Sequence, residues 1–576
     1  MAIILDPYAA RSCPVKTQNR YDPTLQAPAS PPDEALQELF AGGKAFEDEV
    51  LQAIIDGATD VVDLRSCDDR SQAQHLTQQA LEDGRDVVIG PRLPVDVAGH
   101  RRGQPDLLVR GTDQADGRAG YRPVEAKRHR VLEMGNAEQV CHFSTLEAPR
   151  VQLQHPQMTF KPSREADLLQ MAHYWRLLDA AGWADAAAPI AGVIGTDHLE
   201  GRQGPVISWV DLSRKFIRTF SRTSSTGWKL RSPLERYDHE FGFRVKVAQV
   251  AAARTGSPDD HRPMVAPIVV RECDHCTWWE VCKPQLGEDD LSLRINKSPL
   301  DVREISVLRS RGINTLSDLA HADVEALMES YLPEVAHRSG ADSRLRLAAR
   351  RASLMLAGVE LERLTTEPVD LPEVSLEIDF DIETSAGDRV YLWGFLVDDR
   401  TSGEAPFYKA FSRFEELDNA RECALAAEAI TWLDRVLTER PDAHVYHYSD
   451  YEVVHLLRLA RRCGQPEVLA AANRVRDHFV DLFTLVKGHF FGTNGLGLKV
   501  VARSGPGFEW RDDDPGGLNS QRWFRDAVTG ADELTRSEAT TRVLEYNEDD
   551  VRATHQLRAW LRTLDEQQPD AEAPTT

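Results

Sequence analysis

The sequence predicts an α/β protein of several domains, and three observations carry the prediction. The chain has 576 residues, too many for one hydrophobic core at roughly 100–200 residues per domain. Extended apolar runs and helical periodicities alternate along it. A stretch with two prolines, 365–373, separates an Arg-rich helical region from three successive strands. The 41% hydrophobic and 28% charged fractions are those of a folded chain and exclude wholesale disorder. No stretch reaches the roughly 20 apolar residues of a membrane span. The first 15 residues lack the basic and apolar regions of a secretory leader, so a cytoplasmic location is expected.

Taken in order, residues 20–34 read as a Pro-rich loop. Leu36, Leu39, Phe40, Phe46, Val50, Leu51 and Ile54 then predict a helix over 35–57. Extended runs follow at 86–90, 105–110 and 121–127. Residues 163–181 form an amphipathic helix with Ser163 as N-cap and Gly182 as stop. Residues 190–211 return to strand character. From 299 to 360 the pattern is helical. A break at Gly312-Ile313-Asn314 is followed by Thr315 and Asp318, a capping box that starts the next helix. This reads as a helix–hairpin–helix-like module. Residues 374–411 give three strands in an antiparallel opening, with a fourth at 443–449. The expected boundaries are 1–290, 291–364, 374–565 and a disordered tail, 566–576.

The charge balance, 68 basic against 92 acidic residues, restricts function. A chain with net charge −24 binds a polyanion only through local basic patches or bound cations. Only 12 of the basic residues are lysine, so each lysine is informative. Lys127 is the one with a glutamate two positions before it, Glu125. Strand alternation puts both on one face. With Asp106 at the start of the preceding strand, two carboxylates can hold a divalent cation while the lysine steers water or offsets phosphate charge. Gln170 and Tyr174 share one face of their helix.

These runs, GQPDLLVR, YRPVEAKRH and Q-x-x-x-Y, resemble the nuclease core of the RecB-like family within the restriction-endonuclease-like fold. The resemblance implies Mg2+ or Mn2+ on Asp106 and Glu125, Lys127 assisting the water, and Gln170 and Tyr174 organising substrate. Glu47 sits where many members carry a metal-binding histidine, and a carboxylate there can also ligate a hard cation.

Cys273, Cys276 and Cys282 follow C-x2-C-x5-C. Three thiols so close in a cytoplasmic protein point to metal rather than disulfides. RecB-like nucleases with an iron–sulfur cluster carry one cysteine before the core and three after it. Cys13 completes that layout, so the resemblance implies a [4Fe–4S] cluster clipping the ends of the domain together. Zinc is the alternative, with His275 able to join. Cys67, Cys141, Cys423 and Cys463 are scattered and read as small buried hydrophobes.

A second acidic constellation lies in the C-terminal half. Asp381 and Glu383 are two apart on a strand, and Tyr546 and Asp550 are at i, i+4 on a helix. Together they resemble the DEDDy exonuclease branch of the RNase H-like superfamily. The resemblance implies two cations on Asp381, Glu383, a central acid and Asp550, a water positioned by Tyr546, and 3′→5′ polarity. Glu452 aligns as the central acid, with Asp450 as the alternative. Asp481 and Lys499 fall in regions such domains place near substrate, or are a helix cap and a surface lysine. Asp379 flanks the site.

Nucleic acid would be gripped by Arg303, Arg309, Arg311, Arg344, Arg346, Arg350 and Arg351, and by the basic run 127–130, unless these pair with neighbouring acids. The whole layout resembles a family of RecB-like nucleases joining an iron–sulfur RecB domain to an RNase H-like exonuclease domain. It implies a metal-dependent DNase in DNA repair or processing. A second reading is a nucleic-acid-binding adaptor for a helicase. Any helicase would act in trans, since the chain has no phosphate-binding P-loop motif.

Overall fold

The structure is a computed structural model that describes residues 2–26, 34–197, 199, 204–295, 300–513 and 516–564. The tail expected to be disordered, and part of the 20–34 loop, lie outside the described residues. The chain forms two compact units, Met1–Ala349 and Arg350–Thr576. Among the described residues no helix is long and apolar enough to cross a membrane.

The first unit is built on an eight-stranded sheet. Strands Val87–Ile89, Leu107–Arg110 and Tyr121–Ala126 run antiparallel in that order. Ile190–Ile194 then adds parallel to Tyr121–Ala126, and the return path includes the helix Glu165–Ala181. Such parallel pairing needs a long crossover. The central strands are apolar on both faces because both are covered. Val87, Ile89, Leu107, Val109 and Val124 pack with Val50, Leu51 and Ile54 of the helix Glu34–Gly57. The alternate residues Val88, Leu108 and Val193 pack with helices Glu165–Ala181 and Pro233–Ala252. The period of two therefore assigns Glu125 to the face opposite Val124.

Most expected elements appear within a few residues of their predicted bounds. Gly182 ends its helix at φ 76°, a left-handed position that favours glycine. Ser163 does not cap that helix. Pro162 presets a 3-10 turn, Pro162–Arg164, and the helix proper begins at Glu165 behind Arg164. Thr315 and Asp318 form the expected box, with Oδ2 of Asp318 accepting from the Thr315 N–H at 2.9 Å. The helices of that segment, Val302–Ser310 through Val324–Val335, belong to the first compact unit. Residues 350–364 join the second instead, because strand Leu361–Arg363 pairs with Phe490–Gly492.

The second unit contains a five-stranded sheet, ordered Phe407–Ser412, Val390–Asp399, Leu376–Thr384, His444–His447 and Phe479–Asp481. The first three are antiparallel and the last two add in parallel. Strand Leu376–Thr384 divides its side chains by alternation. Ile378, Phe380 and Ile382 enter a core shared with helix Asn419–Glu439. Glu377, Asp379, Asp381 and Glu383 face the other way, where partners come from the 31-residue helix Glu533–Thr563.

Candidate functional site

That row of four acids is treated in two ways. Upstream, Arg558 donates to Glu377 and, at 2.8 Å, to Asp379, and Arg562 also reaches Glu377. Arg558, Glu377 and Asp379 are each no more than 1% exposed. Downstream, no arginine among the described residues answers. Ligand oxygens of Asp381, Glu383 and Asp550 lie within 4.8 Å of one another, an arrangement able to hold a metal ion. Each is held by a neutral donor: Asn547 Nδ2 to Asp381 at 2.7 Å, Ser520 Oγ to Glu383 at 2.7 Å, and Trp510 Nε1 to Asp550 at 2.7 Å. The positive charge that reaches all three is Lys499, whose ammonium donates to the Tyr546 hydroxyl.

Burial, and then repulsion between the carboxylates, makes ionisation costly. Burial, Glu383 and Asp550 push Asp381 well above its usual range. Burial and Asp550 push Glu383 up to about 8. Burial likewise raises Asp550 and drives the Tyr546 phenol far up, so it stays protonated. A carboxyl with a raised folded-state pKa stabilises the fold most below its unfolded value of 4.5, and that contribution is lost as pH rises through about 8. Cations bind the deprotonated form. In chelator, the melting temperature of this unit is therefore expected to fall across that window. Added Mn2+ should restore most at the alkaline end, and Glu383→Gln should flatten both trends in a thermal melt.

Glu452 is buried at 4% exposure while Asp450 is exposed. The charge of Glu452 reaches Asp381, but it stands outside the close trio. It lies 3.6 Å from His447 Nδ1. Asp481 caps its helix, accepting from Phe483 N at 2.9 Å and Ser449 N at 3.0 Å. Lys499 is not a surface lysine: its Nζ sits 4.6 Å from the Tyr546 ring centre. Asn547, Ser520, Trp510 and Tyr408 are not legible in the sequence as site residues. Only Asn547 has a signal, sharing a helix face with Asp550 at i, i+3. Tyr408 donates to its Oδ1 at 2.7 Å, fixing the amide so that its nitrogen meets Asp381. This works because residue 394, opposite Asp381, is glycine. A Cβ there would overlap the Asn547 oxygen. Gly394→Ala is expected to cost about 1–3 kcal/mol by overpacking and to weaken Mn2+ binding, read by melting with and without Mn2+.

In the first unit, Asp106 Oδ2 accepts from Ala126 N at 2.8 Å, so it lies beside the strand that carries Glu125. Burial first, then Glu125 and Glu47, push the Asp106 carboxyl well up. Lys127 donates to Glu125 at 2.7 Å. Burial disfavours its charge, but Glu125 and Asp106 outweigh that and raise its pKa. Gln170 donates to the Tyr174 hydroxyl at 3.1 Å and accepts from Arg11 at 2.6 Å. Burial and Glu125 hold the Tyr174 phenol protonated. Glu47 is bound by Lys44 at 2.8 Å. Its charge is felt at Asp106, yet it does not close a trio with Asp106 and Glu125 within 4.8 Å.

Cys13, Cys273, Cys276 and Cys282 line one pocket, walled by Trp278, Trp279 and Leu286. Cys13 lies at the start of helix Pro14–Tyr21, and its N–H donates to Glu272 at 2.9 Å. Burial pushes the thiols of Cys13, Cys273 and Cys282 up, the last to about 11. No three of these sulfurs lie within 4.8 Å of one another. Of the four remaining cysteines only Cys141 is buried. Burial first, and then the neighbouring Cys423, push the Cys463 thiol up to about 12.

The expectation that the middle arginines present free charge to phosphate is not met. Arg303 pairs with Glu334 at 2.7 Å, Arg309 with Asp290 at 2.7 Å, Arg344 with Glu304 at 2.7 Å, and Arg346 with Glu325. Arg311 donates to Ser330 at 2.7 Å. Arg350 pairs with Glu362 at 2.7 Å, and Arg351 is buried beside Phe491. Nearby Asp and Glu of this acidic chain thus pair with five of the seven. In the run 127–130, His129 is bound to Asp167 at 2.8 Å.

No match was found among curated proteins or among solved structures. Residues 378–562, which cover the acidic strand from Ile378 onward and nearly all of the long helix, match the family model of the RNase_H superfamily, so this segment is an RNase H superfamily domain.

Proposed function

We propose that the protein is a metal-dependent nuclease acting on DNA in repair or processing. It would carry a DEDDy-type 3′→5′ exonuclease site at Asp381, Glu383, Glu452 and Asp550, and a RecB-type site at Asp106, Glu125 and Lys127. The observation that carries the reading is a carboxylate trio held by neutral donors and not by arginine. The same strand neutralises Glu377 and Asp379 with arginine but leaves Asp381 and Glu383 beside Asp550. Buried like charges are costly unless a cation joins them. Mg2+ or Mn2+ held there would neutralise the phosphoryl transition state and acidify the attacking water. The chain's own groups do the rest. Asn547 and Ser520 fix the carboxylates, and Tyr546, a phenol held by Lys499, orients the water.

At the other site Asp106 and Glu125 would hold the cation, and Lys127, kept charged by Glu125, offsets the phosphate. Gln170 and Tyr174 order the substrate side. The four-cysteine pocket offers the four thiolate ligands of a [4Fe–4S] cluster, with tetrahedral zinc as the alternative. The cluster would tie helix Pro14–Tyr21 to the segment around 267–286. Anaerobically purified protein should be brown and iron-loaded, and a colourless zinc-loaded sample defeats that assignment.

Full-length protein with Mn2+ and end-labelled single strands tests the activity. Shortening from the 3′ end that Asp381→Ala removes supports the exonuclease, and residual cleavage that Lys127→Ala removes supports the second site. The observation favouring a non-catalytic adaptor is Glu452, which lies near His447 at 3.6 Å and stands outside the trio. If the wild type degrades nothing, the adaptor reading replaces this one.

A further inference from the structure

Many arginines of this chain meet an acid, but several do not, and three of those without one sit together. The side chains of Arg70, Arg92 and Arg102 make no hydrogen bond or ion pair among the described residues, and all three line one pocket. Its one acidic wall residue, Asp6, is already engaged by Arg20 at 2.8 Å and by the Tyr8 N–H at 3.0 Å. The pocket also includes Gly103 and Gln104, which lead directly into Asp106. Two residues span at most about 7 Å, so the pocket lies close to the backbone of Asp106.

The wall is firmly set. His173, fully buried, has its Nε2 bonded to the Arg102 carbonyl at 3.0 Å and its Nδ1 to the Tyr237 hydroxyl at 2.9 Å. His173 lies on the helix that also carries Gln170 and Tyr174. Gly103 passes so close to the Tyr174 ring that a Cβ would overlap it. Arg92 N donates to Thr77 Oγ1 at 2.9 Å. Three arginines lining one pocket, whose single carboxylate is already engaged, suit the oxygens of a phosphate group.

We propose that Arg70, Arg92 and Arg102 form a phosphate-binding pocket that grips the nucleic-acid strand beside Asp106 and Glu125. Its placement rests on the nuclease reading of that site, but its binding is measurable without cleavage. The first test is arginine-selective labelling with phenylglyoxal, mapped by peptide mass spectrometry on the full chain in Ca2+, with and without a short single-stranded oligodeoxynucleotide. Labelling of all three arginines is expected in the free protein and its loss in the complex. Unchanged labelling overturns the proposal.

The second test is the salt dependence of binding. Arg70→Gln, Arg92→Gln and Arg102→Gln together should lower the log–log slope by about 2, from roughly 0.7 per phosphate contact on single strands, while Arg→Lys at the same positions keeps it. An unchanged slope in a triple Gln variant that melts like the wild type overturns the pocket. Strands with a 5′-phosphate and a 5′-hydroxyl identify the source: equal losses mean an internal phosphodiester, and a loss confined to the 5′-phosphate strand means a terminal phosphate. A chain that binds through these arginines but cuts nothing leaves the pocket standing and removes the nuclease reading. One that cuts with its labelling unchanged does the reverse.

Discussion

Asp381→Asn is expected to remove about 10²–10³-fold of the 3′-end cleavage, a loss of about 3–4 kcal/mol of transition-state stabilisation from one metal-holding carboxylate. The same substitution should stabilise the metal-free protein. Asp381 is crowded by Glu383 and Asp550, and an amide removes that repulsion while still accepting from Asn547. The melting temperature in chelator should rise by roughly 2–4 °C for each kcal/mol relieved. It should no longer respond to Mn2+ as the wild type does. Activity assays and paired melts check both halves. A variant that loses activity and stability together would mean that Asp381 serves the fold and not a cation.

Arg558→Met should have the opposite signature. It strips the counter-charge from Glu377 and Asp379, which are 1% and 0% exposed. Breaking one side of a buried ion network costs about 3–5 kcal/mol. That corresponds to a fall of roughly 10 °C in a unit of this size. Restoring neutrality by adding Glu377→Gln and Asp379→Asn to Arg558→Met should recover much of the loss, in a triple-variant test of coupling within the network. Thermal unfolding of the single and combined variants reads this directly. A melting temperature unchanged by Arg558→Met would dismiss the account of this strand as one half neutralised and one half left for metal.

Much of this was legible in the sequence because it rests on short-range periodicity. Alternation alone put Glu125 with Lys127 and Asp381 with Glu383, and helical spacing put Tyr546 with Asp550. The capping box at Thr315 and the stop at Gly182 are equally local. What escaped depends on the fold bringing distant residues together. Trp510 and Ser520 reach Asp550 and Glu383 from loop and helix positions with no motif of their own. The middle arginines looked available because their partners, such as Glu334 for Arg303, lie some thirty residues away. Arg70, Arg92 and Arg102 escaped for the converse reason. Their significance is a missing partner, which no sequence pattern displays.

The long C-terminal helix and the acidic strand also keep step with each other. Four strand residues from Asp381 back to Glu377 cover about 13 Å, and eight helical residues from Asp550 on to Arg558 cover about 12 Å. The two rulers run in opposite directions with matched graduations. Adding or deleting one residue between Asp550 and Arg558 would turn the helix by about 100°, so the guanidinium and the carboxylate could not both meet the strand. Changes in chain length are therefore barred from those seven intervening positions, however freely the surrounding loops accept them.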